Sequence, residues 1–288
     1  MIELAKLAFV LIFIMATTPM AFLLMLFFIS ISGCVAHLTH TTSSSPTLEA
    51  LAKIQATVVI DPGHGGADSG AMSKSGLLEK DLCLDISKRI ARLISKVMPR
   101  VKIIMTREID KAVSLEERIK IANAAQGDVF LSIHINSNEN EDAHGFEVYS
   151  LDIASDRHAE RIAMRENKTN KDSSGVNFIL ADLRANNHRY ASDQLAKLIA
   201  KNLILQVSKK VGAEAVNNRG YNQAIFSVLF VNMPAVLAEL FFISNPHDER
   251  RLRTEAMRES CARGVVAGLG MYLKNLDTNV VRTAHVAK

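Results

Sequence analysis

The chain has 288 residues, 48% of them hydrophobic, enough for one substantial domain and too apolar for wholesale disorder. Its formal net charge of +4 is small and spread along the chain, which excludes a nucleic-acid patch and leaves only a weak pull toward anionic polymers or membrane surfaces. Tryptophan is absent, so a sugar platform of indole rings is excluded.

From Leu7 to Gly33 the chain is almost unbroken apolar, with Lys6 just before it, and long enough to span a bilayer. The run closes on Ile31-Ser32-Gly33-Cys34, which resembles the lipobox of bacterial lipoproteins, where the Cys is acylated and becomes the mature N-terminus. An uncleaved membrane anchor is the other reading of residues 1–34. Either way the remainder is exported to the periplasmic face of a bacterial envelope and tethered. Val35 after Cys34, in place of Asp, favours the outer membrane by analogy with other lipoproteins. Residues 35–55 open with Thr, Ser and His and read as a flexible tether. The folded domain is expected over 56–275, with a polar tail at 276–288.

Within the domain, strands and helices alternate. Val58 to Ile60 reads as a buried strand that enters the Gly-rich turn Asp61-Pro62-Gly63-His64-Gly65-Gly66. The pattern predicts a helix from Glu79 to Met98, stopped by Pro99, then a strand from Val101 to Met105. Ser114 and Glu117 form a capping-box pattern for a helix ending at Gly127. Strands follow at Val129–Ile133 and Gly145–Tyr149, helices at Ala154–Glu166 and Ser192–Val211, and a buried strand at Ala235–Ala238. Asn245-Pro246 opens the last helices, Asn as cap and Pro at the first helical position. This alternation implies an α/β fold with a mostly parallel sheet covered on both faces. Cys83 and Cys261 sit in helical apolar stretches and read as buried thiols.

Three strands end in ionisable groups: His64, His134 and Glu239. Ligands collect at the carboxyl ends of parallel strands, so three such endings point to one site. Glu79 heads the helical stripe Leu82, Cys83, Ile86, Ile90, Leu93 and Ile94. Two readings stand for it: a carboxylate directed inward toward a metal, or a solvated charge favoured by the helix dipole. Two imidazoles and one carboxylate make a zinc set with the fourth position left for water, which zinc acidifies. Glu239, set among apolar residues, is placed to take the water's proton and pass it to a leaving amine. Asp61 reads as a structural support of the turn. The turn's glycines read as room to bend around His64, since the Walker-A Lys-Ser/Thr and the Rossmann spacing are both missing.

The chain resembles the zinc-dependent N-acetylmuramoyl-L-alanine amidases of the amidase-3 family. The resemblance runs through Val59 to Gly66 with Asp68 and Gly70-Ala71, Glu79, Met105-Thr106-Arg107, Arg118 with Ala122-Asn123, Ser132 to Asn136, Pro234 to Glu239 and Phe242 to Asn245. It implies a six-stranded sheet, one zinc ion per chain on His64, Glu79 and His134, and Glu239 as the catalytic carboxylate. Arg107 and Asn136 are then supports around the metal site. The implied reaction is hydrolysis of the amide between muramic acid and L-alanine of peptidoglycan, in wall remodelling or daughter-cell separation. Residues 150–191 form a long polar insertion, where cell-division relatives carry a helix whose Glu occupies the zinc until a protein activator withdraws it. Glu166 is the residue here for such an autoinhibitory ligand; a solvated helix charge is the alternative. A zinc endopeptidase cutting within the stem peptide could use the same four residues. A non-catalytic wall-binding lipoprotein is the reading from another class, disfavoured because all four positions are filled.

Overall fold

The structure, a computed structural model, describes residues 46–167, 188–212 and 217–286, with side chains as far as residue 276. The apolar leader, Cys34 and residues 168–187 of the insertion lie outside the described residues. In chain order the elements are α1 (Leu48–Lys53), β1 (Thr57–Pro62), α2 (Glu79–Val97), β2 (Lys102–Met105), α3 (Leu115–Ala124), β3 (Val129–Asn136) and β4 (Phe146–Leu151). There follow α4 (Arg157–Asn167), α5 (Arg189–Val211), β5 (Asn218–Ala224), a single 3-10 turn (Ser227–Leu229), β6 (Ala235–Phe242), α6 (Pro246–Arg253) and α7 (Glu255–Val286).

The six strands form one sheet in the order β2-β1-β3-β6-β4-β5. β1, β2, β3 and β6 run parallel; β4 and β5 pair parallel with each other but antiparallel to β6. Strand side chains alternate between faces. Val58, Ile60, Leu131, Ile133, Val236 and Ala238 therefore join α2, α5 and α7 in one core. Val59, Phe130, Leu237 and Tyr149 pack on the other face with Ala159, Ile162 and Ala163 of α4 and with Phe226 and Val228.

Local signals explain several boundaries. Ser114 accepts a hydrogen bond from Glu117 N, and Asn245 accepts from His247 N and Asp248 N, so both caps satisfy amides that the first helical turn leaves unpaired. Cys83 and Cys261 are buried free thiols. Three expectations need correction. The tether assigned to 35–55 contains α1, capped by Thr47, and its Leu51 and Ile54 pack on the core, so the folded unit starts ahead of residue 56. The segment 276–288 read as a tail continues α7 through Val286. β3 and β6 also extend beyond the expected ends, to Asn136 and Phe242, because each continues to pair with the other past His134 and Glu239.

α5 and α7 touch through glycine. A Cβ on Gly268 would stand 2.6 Å from Ile199 Cα, and one on Gly264 would stand 2.8 Å from Leu203 Cα, so neither helix accommodates a methyl group there. Gly268→Ala is expected to lower stability by about 1–3 kcal/mol through overpacking, read as a lower urea midpoint at unchanged m value.

Candidate metal centre

Each side chain arrives by its own route. β1 ends at Pro62, and His64 adopts a left-handed backbone (φ 56°) that turns its ring back over the sheet edge. Asp68 Oδ2 lies 2.9 Å from His64 Nδ1, which fixes the ring and leaves Nε2 facing inward. His134 sits on β3. Residue 63 must be glycine because a Cβ there would lie 2.5 Å from the His134 ring: the close approach of that imidazole, more than the bend around His64, sets the requirement. Glu79 is the first residue of α2 and is buried. Its Oε2 accepts from Ala71 N at 2.8 Å and its Oε1 from Ile135 N at 3.1 Å, so the carboxylate is held in place by two backbone donors.

The structure brings His64, Glu79 and His134 together and adds Glu166, with one atom from each within 4.8 Å of the others. Glu79 Oε1 is 3.1 Å from His64 Nε2 and 3.2 Å from His134 Nδ1. Glu166 Oε2 is 3.3 Å and 3.1 Å from the same two nitrogens. Donors about 2.0–2.1 Å from a tetrahedral ion stand about 3.3 Å from one another. His64 Nε2 and Glu166 Oε2 are buried without a hydrogen-bond partner, as expected of atoms aimed at a common centre. The donor set therefore fits a metal ion. Burial disfavours the charged ring, yet Glu79, Asp68 and Glu166 raise His64 to about 12, and Glu166 and Glu79 raise His134 to about 9. Burial would raise Glu79, but His64 and His134 outweigh it and hold the carboxyl down at about 2.

Glu239 lies beside this cluster, in register with His134 across β3 and β6 and fully buried. Burial pushes it up to about 8, with Glu166 and Glu79 adding to the shift and Arg165 and His134 opposing it. Arg165, next to Glu166 on α4, reaches into the same space, with Nη2 3.4 Å from Glu239 Oε1. Asn136 Oδ1 accepts from Ser137 N at 2.7 Å and faces Arg165 Nη1 at 3.2 Å. The cleft over the cluster encloses about 550 Å3, with His64, Asp68, Ala112, Leu115, Arg165 and Val228 among its walls.

Beneath the site two buried arginines bind the turn. Arg107 donates to the carbonyls of Pro62, Gly63 and Lys80 at 3.0, 2.6 and 2.8 Å. Arg118 donates to Pro62 O and His64 O and pairs with Asp61 at 2.7 Å. Asp61 also accepts from the hydroxyls of Thr106 and Ser132. Two residues of this neighbourhood lay outside the sequence reading. Glu147 is buried opposite Glu239 in antiparallel register and bonds His158, Arg219 and Tyr149. Because β4 runs antiparallel to β6, its beginning, and not its end, lies at the site edge. The available signal was a lone carboxylate inside Phe146-Glu147-Val148-Tyr149. Arg165 carried no comparable signal; a basic residue beside an acidic one on a polar helix usually marks a solvated face.

Fold and site together define an α/β domain with a cluster of two imidazoles and two carboxylates at one edge of the sheet that could hold a metal ion, flanked by a further buried carboxylate. The chain belongs to the Amidase_3 family, N-acetylmuramoyl-L-alanine amidase, whose model matches residues 58–271. It is similar to the N-acetylmuramoyl-L-alanine amidase AmiC of Escherichia coli O6:H1, at 30% identity over 227 residues covering 75% of this chain and 52% of that protein. It thus spans about half the length of that relative. Among solved structures, the amidase AmiC2 of Nostoc punctiforme aligns with TM-score 0.57 and 31% identity, covering 77% of this chain and 97% of that one. The CwlD amidase of Clostridioides difficile, solved in complex with the GerS lipoprotein, aligns with TM-score 0.57 and 25% identity, covering 76% and 98%.

Burial alone would raise Asp61, but Arg118 and the two hydroxyls hold it below the ordinary carboxylate range. A depressed folded value gives stability that is present above about pH 4 and lost as pH falls through the folded value. Asp61→Asn is expected to cost about 3–5 kcal/mol near neutral pH by leaving Arg118 buried and unpaired. In denaturant titrations the gap to wild type should narrow below about pH 4.

Proposed function

We propose that this chain hydrolyses the amide joining N-acetylmuramic acid to L-alanine in peptidoglycan. In this reading His64, Glu79 and His134 hold one zinc ion and Glu239 moves the proton. The observation that carries it is the convergence of four donor atoms within 4.8 Å beside a fully buried carboxylate, in a chain of the amidase family. When bound, zinc would supply Lewis acidity, bringing the pKa of water to about 7 and polarising the amide carbonyl. Glu239 takes a proton from the attacking water and delivers it to the nitrogen of the departing L-alanine. Asp68 keeps His64 oriented, and the amides of Ala71 and Ile135 keep Glu79 charged and fixed.

Glu166 stands at the fourth place around the centre, which supports an autoinhibited resting state. Full activity then requires α4 to withdraw, and a protein activator acting on residues 150–191 is the partner that would draw it away. The relative solved with a lipoprotein supports a protein partner for this fold. Gated hydrolysis suits wall remodelling at cell separation, where uncontrolled cutting is lethal. The sequence of residues 7–34 supports a membrane tether at the periplasmic face, with lipidation at Cys34 and the outer membrane favoured.

Mass spectrometry of muropeptides treated with the purified full chain tests the reaction. Intact stem peptides with a free L-alanine amine, lost on chelation, are expected; stem peptides cut internally would identify an endopeptidase instead. Glu239→Gln should keep stoichiometric zinc while turnover falls about 10²–10⁴-fold. His64→Ala should lose the zinc, and Glu166→Gln should raise unstimulated hydrolysis. For the tether, metabolic labelling with an alkyne fatty acid should mark the wild type and not Cys34→Ser. Membrane fractionation without any label would select the uncleaved anchor.

A further inference from the structure

We infer that α4 restrains the centre twice: Arg165 is a second lock, which holds the Glu239 carboxylate independently of Glu166 and of any metal. This rests on the autoinhibited reading above and goes beyond it, because it assigns a separate restraint to the proton-moving group.

Four contacts set the geometry, among them Arg165 Nη1 donating to Asn136 Oδ1 at 3.2 Å. Arg165 Nη2 approaches Glu239 Oε1 at 3.4 Å, Nη1 donates to Ser137 O at 2.6 Å, and Nε donates to Glu166 Oε1 at 2.8 Å. The bond to Ser137 is the anchor. It fixes the guanidinium to the chain just after β3, so Arg165 keeps its place over Glu239 when the Glu166 contact is removed. Glu239 is fully buried and its Oε2 has no hydrogen-bond partner, so the guanidinium at Oε1 is the contact through which α4 holds this carboxylate.

α4 itself does not depend on Glu166 for its seat. Ala159, Ile162 and Ala163 are buried against the sheet, His158 Nε2 lies 2.8 Å from Glu147 at the first turn, and Asn167 bridges Ile225 O and Ser227 N at 2.7 and 2.8 Å. Neutralising Glu166 alone therefore weakens its hold on the fourth metal position while the helix stays docked and Arg165 stays beside Glu239. Freeing the centre while α4 stays seated requires both the Glu166 and the Arg165 contacts to break. The competing role for Arg165 is simple orientation of Glu166, and the two roles separate in a double substitution.

The test compares full-length wild type, Glu166→Gln, Arg165→Ala and the double variant, with Arg165→Lys added to the Glu166→Gln background. Two readouts are taken: release of free L-alanine amines from sacculi at saturating zinc, and hydrogen exchange of the α4 amides in zinc-free protein with chelator present. The double variant is expected to hydrolyse about tenfold faster than Glu166→Gln, the factor that one charge-assisted hydrogen bond represents. Its α4 amides should exchange faster than those of Glu166→Gln without metal, and Arg165→Lys should restore part of the restraint. If adding Arg165→Ala to Glu166→Gln changes neither readout, Arg165 only orients Glu166 and the second lock is wrong. A slower double variant would make Arg165 a support of the reaction, which also overturns it. Should Arg165→Ala fail to fold, Arg165→Gln carries the same comparison. Absence of amine release from every variant would count against the amidase reading, while the exchange data would still decide the lock.

Discussion

Two buried carboxylates, the buried imidazole of His134 and the half-buried imidazole of His64, with their inward atoms 3.1–3.3 Å apart, are the constraint on which the rest of the molecule depends. Such a cluster is costly to assemble, since each charge has left water and like charges face one another across the centre. It persists because opposite charges alternate around it, and because the carboxylate of Glu79 is met by backbone amides from two different segments. The supports underneath serve the same end. Arg107 and Arg118 bind the carbonyls of residues 62–64, which keeps the tightly bent backbone under His64 in register with β3.

Sheet topology decides which groups share this edge. Three parallel strands bring the turn after β1, His134 and Glu239 to a common end. The reversal at β4 places Glu147 against Glu239 from the opposite direction. The sheet thus presents a row of acidic and imidazole groups, and α4 lies over it with an apolar face on Tyr149 and Phe226 and with charged residues at its end. A helix that buries apolar surface and at the same time fills the reactive positions is both part of the fold and an occupant of the cleft.

The sequence by itself determined the local elements and the ionisable groups that the fold gathers at one edge of the sheet. Ser114-Glu117 and Asn245-Pro246 announce their helices because capping is a matter of a few consecutive residues, and the stripe from Glu79 to Ile94 announces its buried face because helical periodicity is local. β5 was not legible: Asn218-Arg219-Gly220-Tyr221-Asn222-Gln223-Ala224 is a polar edge strand with little apolar alternation to mark it. Tertiary structure alone decided that Glu166 reaches the imidazoles, that Arg165 reaches Glu239 and that Glu147 stands opposite it. Each of these contacts joins residues distant in the chain across a packed interface. Side-chain type and spacing specify what a residue can do, but only the closing of the sheet and the docking of α4 specify what it meets.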